Sequence, residues 1–368
     1  MDSITQAALG ATIGEAALGK KIGNRAIIWG ALVGTLPDLD IIFLPLLDNA
    51  QDLAFHRGSS HSLLIMIIAS LGLAMPLSKL WKKEKVTPMR AGMFILLNWF
   101  THVLIDCFTV YGTSVLWPFS DARIGFNNLF IIDPLYTTPL IVSLICLAFY
   151  RTKKELPKRT RILNWGLGIS SAYVIFSFAM KFYASSSFDA DLARRNIKYN
   201  RRFEAPTAFN TLLWRSVVER ENEIWVGYHS VLESPSKPIR WTVYPKQKEV
   251  IAPFAKEREV QTLCWFSQGW WIARPHAQGI WIADMRFGET RNYDAKPGMV
   301  DSRFMFSWSF EPKKEGDRIS YTRPSERNAK DTLRILGHRI LGNSKEWEAT
   351  PRLAGMPGSL PEWLMAVE

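Results

Sequence analysis

Cysteine is scarce in this chain, with three in 368 residues. Cys107 and Cys146 fall inside apolar runs and Cys264 lies far along the chain, so no disulfide framework is legible and the redox compartment stays open. Histidine is nearly as rare, six in all; His229, His276 and His338 are scattered without metal spacing. The first apolar segment, Met1 to Gly19, has an acidic second residue and lacks the basic n-region of a cleavable signal peptide, so it is expected to stay attached. A formal charge of +11 comes without a basic arm or a nucleic-acid motif. It is therefore read as loop lysines and arginines beside membrane helices plus a basic C-terminal region, and no nucleic-acid partner is expected.

What is present divides into two halves of different character. The fold class expected is a multi-pass α-helical membrane domain of five or six spans over residues 1–183, a linker helix over 184–203, and a soluble β-rich C-terminal domain over 204–368. Met1 to Gly19, rich in Ala and Gly, is a short span or re-entrant helix that packs closely on its neighbours. Ala26 to Leu47 is interrupted by Pro37, followed by the carboxylates Asp38 and Asp40 where a plain span would carry leucines. Ser62 to Trp81, Ala91 to Val110, Leu129 to Tyr150, and Ile162 to about Tyr183 complete the set. The basic clusters 20–25, 82–90 and 151–161 are separated by two spans each time, which puts them in the cytoplasm and places loops 48–60 and 111–128, with everything after Tyr183, on the outer side.

Beyond Ala184 a polar helical linker leads into period-two segments, Ile224–Tyr228, Ile239–Val243, Gly279–Ala283 and Arg303–Phe310, which predict strands. Their tryptophans are expected to pack the core. An irregular tail is expected from Pro351.

Polar residues intrude on the apolar half at a few points that share one membrane depth. These are Asp38 and Asp40; the stretch His56-Arg57-Gly58-Ser59-Ser60-His61; His102 with Asp106, four apart on one helical face; and the loop containing Arg123 that leads to Asp133. Three histidines and three carboxylates supply the mixed N/O donor set of a zinc or similar divalent site, which makes Asp38, Asp40, His56, His61, His102 and Asp106 candidate ligands. Of Asp38 and Asp40, one is expected on the metal, Asp38 by preference, and the other on a histidine N–H or a water. Ser59 or Ser60 reads as the N-cap of the next span, so that His61 opens that helix. Arg57 and Arg123 are candidates to stabilise developing charge on a phosphate or ester oxygen, and Asp40 or Asp133 is the candidate general base.

The opening Met1-Asp2-Ser3-Ile4-Thr5-Gln6-Ala7-Ala8-Leu9-Gly10, the Leu36–Asp40 break, His56–Ser62, His102–Asp106 and Trp117-Pro118-Phe119 together resemble the YdjM-like family of bacterial inner-membrane proteins, described as metal-dependent hydrolases. The resemblance covers residues 1 to about 183 and implies a multi-pass inner-membrane location with the C-terminal domain in the periplasm. The order Asp, His, His-xxx-Asp is also similar to one zinc site of the all-helical zinc phospholipases C and single-strand nucleases. That likeness implies Asp38, His61, His102 and Asp106 as the ligands, with Asp40 and His56 behind them or on a second ion. This chain departs from that pattern in lacking a second HxxxE or HxxxD after residue 129, and in carrying Gln6 where many relatives have His, which implies one or two metals rather than three.

The function expected is a membrane-embedded metal-dependent hydrolase acting on an ester or phosphoester, with a lipid or lipid-linked substrate suited to the outward mouth. Two alternatives stay open. One is a non-enzymatic membrane protein with a structural metal and a C-terminal domain that binds a protein partner; the other is an ion or metal transporter, although no repeated halves or inward relay are visible.

Overall fold

The structure, a computed structural model, describes residues 1–150, 153–276, 279–289, 304–321 and 329–349. It divides into two compact units. The first comprises Met1–Pro45, Phe55–Phe178 and Ala208–Asn210; the second comprises Leu46–Ala54, Ala179–Thr207 and the chain from Thr211.

The first unit is helical: α1 (Ser3–Ile22), α2 (Arg25–Gly34), a 3-10 stretch over Leu36–Leu46, the end of the short α3 (Asn49–Phe55), α4 (Leu63–Leu80), α5 (Pro88–Asp106), α6 (Pro134–Phe149) and most of α7 (Leu156–Arg194). Local chemistry starts these helices. Asp2 caps α1 by accepting from Ile4 and Thr5 N–H, Thr87 caps α5 ahead of Pro88, and Asp133 caps α6 ahead of Pro134. Ser62, rather than Ser59 or Ser60, caps α4 by accepting from Ile65 N–H, so His61 stands just before the helix in a 3-10 turn. Glycines let α1 and α2 meet backbone to backbone, since a Cβ on Gly10 would come 2.5 Å from the Gly30 carbonyl oxygen and 2.8 Å from Gly34 Cα.

By length and composition, among the described residues, α4 and α7 can each cross a membrane. A third crossing is available if α2 and the 3-10 stretch, bent by 43°, count as one broken span. This is fewer than the five or six spans expected. Polar Asn98, Thr101, His102 and Asp106 lower the apolar character of α5, Gln6 and Glu15 do the same in α1, and α6 has only 16 residues. In α4 the large side chains Ile67, Ile68 and Leu71 are exposed, as on a lipid-facing helix.

The three basic clusters meet at one end of this unit. Arg25 pairs with Glu84 at 2.7 Å, and Asn24 Nδ2 donates to the Ala148 carbonyl. Arg159 is buried; it grips Glu15 with Nε and Nη2 (2.9 and 2.6 Å) and gives Nη1 to Asn24 Oδ1 and to the carbonyls of Leu147 and Tyr150.

The second unit is strand-rich. β1 (Arg201–Pro206), β2 (Leu213–Glu219), β3 (Glu223–Ser230) and β4 (Trp241–Pro245) form one antiparallel sheet in sequence order. After the short α8 (Lys248–Ile251) and α9 (Arg258–Phe266), β5 (Trp271–His276), β6 (Gly279–Asp284), β7 (Ser307–Phe310) and β8 (Ile319–Tyr321) form a second sheet in the same manner; α10 (Ala329–Ile340) and α11 (Lys345–Ala349) follow. Trp214, Trp225 and Trp241 are buried with Phe188 and Leu192 from the end of α7, so these rings are core. Of the linker helix expected over 184–203, residues 184–194 are the last part of α7, continuous from Leu156 and supported by Asp191 with Arg194 and Arg195 at helical spacing, whereas 201–203 already open β1. Arg303 and the tail from Pro351 lie outside the described residues.

Candidate metal centre

Four side chains converge within the helical unit: Asp38 from the 3-10 stretch, His61 from the turn before α4, and His102 with Asp106 on one face of α5. One ligating atom from each lies within 4.8 Å of every other. His61 Nε2 is 3.3 Å from Asp38 Oδ1 and 3.2 Å from Asp106 Oδ2; His102 Nε2 is 3.5 Å from both, and the two Nε2 atoms are 3.1 Å apart. A tetrahedral ion with bonds of about 2.0–2.1 Å sets its donor atoms roughly 3.3 Å apart, so these spacings are those of one small cation's shell. His61, His102 and Asp106 are fully buried, whereas the Asp38 side chain keeps 19% of its surface and marks the open side.

The hydrogen bonds around the group fix where the imidazole protons lie. His102 Nδ1 is 2.6 Å from the Gly34 carbonyl oxygen, which can only accept, so Nδ1 carries the proton. Ser60 donates to Asp40 Oδ2 at 2.9 Å, and its oxygen is then the acceptor for His61 Nδ1–H, also at 2.9 Å. In neutral rings both Nε2 atoms therefore point lone pairs at each other, and Asp38 Oδ1 and Asp106 Oδ2 have no hydrogen-bond donor. Four lone-pair atoms facing one buried point repel unless a cation sits among them, and the donor set of two imidazoles and two carboxylates suits a divalent ion of the zinc type.

The other oxygen of Asp106 is spoken for. Oδ1 takes the Met1 amine, Gln6 Nε2 at 2.9 Å and Arg57 Nη2 at 3.3 Å, which leaves Oδ2 to face the imidazoles. Asp40 lies beside the group rather than in it: its carboxylate holds His56 Nδ1 at 3.1 Å, the Arg57 backbone N–H at 3.2 Å and Ser60 Oγ. Arg57 and Arg123 both lie against the Tyr111 ring, 4.8 and 5.2 Å from its centroid, and Arg123 Nη2 donates to the His56 carbonyl at 2.9 Å. Asp133 stands apart, accepting from Leu135 N–H as the cap of α6 and from the Tyr173 hydroxyl at 3.0 Å. Sequence reasoning missed Ser60 as the link between Asp40 and His61, the Gly34 carbonyl, and Gln6 as a donor to Asp106. A serine next to a histidine is too common to be a signal, and a backbone oxygen leaves no trace in side-chain pattern.

A bundle with lipid-type helices that closes two imidazoles and two carboxylates around one point defines a membrane protein with a preformed group able to hold a metal ion. The chain belongs to the YdjM inner membrane protein family, whose profile matches residues 1–184. It is 30% identical over 122 residues to the inner membrane protein YbcI of Escherichia coli (strain K12), a match covering 33% of this chain and 69% of that protein. It is also 28% identical over 141 residues to the uncharacterized protein YfhP of Bacillus subtilis (strain 168), covering 36% of this chain and 42% of that one. No solved structure matches the chain.

Proposed function

We propose that the helical half holds one divalent ion, zinc by its donor set, between Asp38, His61, His102 and Asp106, and hydrolyses an ester or phosphoester that is lipid-borne or lipid-linked. The observation that carries this reading is the meeting of four potential ligand atoms, two of them on carboxylates with no hydrogen-bond donor. An ion bound there would supply Lewis acidity to a substrate oxygen and acidify a water.

The chain's own residues do the rest. Asp40, hydrogen-bonded to His56 and joined to His61 through Ser60, is the proton acceptor of this proposal; Asp133 instead caps α6 and accepts from the Tyr173 hydroxyl. Arg57 and Arg123, stacked on Tyr111, set positive charge beside the group to favour an anionic reacting centre. The partial exposure of Asp38 supports an open site rather than a closed structural one.

In this reading α1, α5 and α6 also lie within the inner membrane, shielded by α4 and α7, and the strand-rich domain is periplasmic. The gathering of the three basic clusters at one end of the bundle supports that orientation. The deciding experiment is metal analysis of the purified full-length protein followed by hydrolysis assays on p-nitrophenyl phosphate, p-nitrophenyl acetate and phospholipid vesicles. About one equivalent of zinc is expected, lost in His102→Ala and His61→Ala, along with cleavage of at least one substrate class that the same variants abolish. Zinc retained by both variants, or metal-loaded protein inert on every substrate, would sink the proposal. In the same preparations, a Val250→Cys probe that labels only from the cytoplasmic side would reverse the orientation.

A further inference from the structure

The stretch 46–54, which leaves the helical unit after the 3-10 segment and returns to it at Phe55, packs within the strand-rich unit. Asp48 Oδ2 accepts from Arg258 at 2.6 Å. The Asn49 backbone N–H donates to Asp317 Oδ2 at 2.9 Å, and Asn49 Nδ2 donates to the Ile319 carbonyl at 2.8 Å. The receiving surface is itself braced, because Arg318 ties the start of β8 to Glu257 and Glu259 at the start of α9, at 2.9 and 2.6 Å. Ala50 and Leu53 are buried, and Asp48 also accepts from the N–H groups of Ala50 and Gln51, so the stretch docks as a formed turn of helix.

In the chain this docked stretch separates Asp38 and Asp40 on one side from His56, Ser60 and His61 on the other. We propose that the strand-rich domain acts as a clamp on the metal centre. By holding 46–54 on the patch made by Arg258 and residues 317–319, it fixes both approaches to the loop that joins Asp38 to His61, and so sets the cation affinity of the helical half. The inference rests on the metal reading above. Physically, an undocked loop must be ordered by the cation itself, and an ion that binds only the ordered fraction binds more weakly by that fraction. The coupling is reciprocal, so a bound cation must strengthen docking of 46–54 by the same factor.

The test uses the full chain in detergent, with zinc as the probe, measured by competition against a chromophoric chelator and by hydrogen exchange of residues 46–54. Asp48→Arg should speed exchange in 46–54 and weaken zinc binding by about tenfold, the lower end expected for a group that orients metal ligands. Adding Arg258→Asp should restore both. Asp317→Ala, a milder change, should move the same two readouts in the same direction and guards against misfolding of the charge reversal. In the wild type, zinc should slow exchange in 46–54. Faster exchange with unchanged zinc affinity would overturn the clamp while leaving the metal centre standing; unaltered exchange in both Asp48→Arg and Asp317→Ala would show that the docking contact does not hold the stretch. Wild-type protein that takes up no more zinc than His102→Ala would instead remove the metal reading itself, and the clamp with it.

Discussion

At the scale of single residues, the candidate metal centre is built as much by what holds its four side chains as by those side chains. His61 and His102 each give one ring nitrogen to a fixed acceptor, Ser60 and the Gly34 carbonyl, which frees the other for a cation. Ser60→Ala removes the hydroxyl through which the Asp40 charge reaches His61, so zinc affinity should fall roughly 10–100-fold. Ser60→Thr keeps the hydroxyl and should retain most of the affinity. A chelator competition series that finds Ser60→Ala no weaker than Ser60→Thr would remove the linking role. The i,i+4 spacing of His102 and Asp106 was legible because two polar residues on one face of an apolar helix stand out. Their partners were not legible, since Ser60 and Gln6 are ordinary polar residues whose roles depend on chain segments far away in sequence. The cap of α4 was misplaced for a related reason: three serines within four residues, Ser59, Ser60 and Ser62 around His61, all satisfy the capping preference, and only the path of the chain selects Ser62.

At the scale of elements, the hairpin of α1 and α2 carries the Gly34 carbonyl to His102, and its glycines set how closely it closes. A methyl on Gly10 meets backbone of α2, which cannot rotate away, so Gly10→Ala should destabilise the protein by about 1–3 kcal/mol, as overpacking does, and weaken zinc binding with it. Gly72, midway along α4, has nothing within 4 Å of an added Cβ. Gly72→Ala should therefore be neutral or stabilise by up to roughly 1 kcal/mol through helix propensity. Thermal melts of the two variants against wild type separate the cases, and a pair with equal shifts would remove the close-packing argument. Continuous apolar runs predicted the long helices of the first half and alternation predicted β3, β4 and β6, because both are local properties. The number of helices apolar enough to span was overestimated, because α1 and α5 hold buried polar groups that length alone does not weigh.

At the scale of the whole molecule, the strand-rich domain carries its own acid sensitivity. His229 is buried beside Glu233, Arg339 and Lys237; burial of the ring, reinforced by the two cations against the pull of Glu233, holds it below its ordinary value of 6.5. For Glu233 burial alone would raise the carboxyl, but hydrogen bonds from Lys237 and the Ser230 N–H, with Arg339 beside it, bring it below its ordinary 4.5. Both groups bind protons more readily in the unfolded chain. The stability they contribute is thus present above the unfolded values and lost as pH falls, first through His229 below about 6.5 and then through Glu233 below about 4.5. Tryptophan-monitored melts of the wild type should drop between pH 7 and 5, and His229→Gln should flatten that drop; an unchanged slope would remove His229 as its source. The division into two halves was legible from composition, since a change from apolar runs to alternating segments is visible without tertiary contacts. The membership of 46–54 in the strand-rich unit was not, because nothing in a nine-residue loop names the surface it docks on.

The buried grip of Arg159 on Glu15 joins the first helix of the chain to the last helix of the bundle. While the chain is being synthesised, Glu15 is made long before Arg159, and burying a carboxylate without a partner is costly. The bundle consequently cannot close in the order in which it is made. Glu15 has to wait, hydrated or neutralised, until α7 is made, so the contact that joins α1 to α7 forms late although α1 precedes α7 by more than a hundred residues.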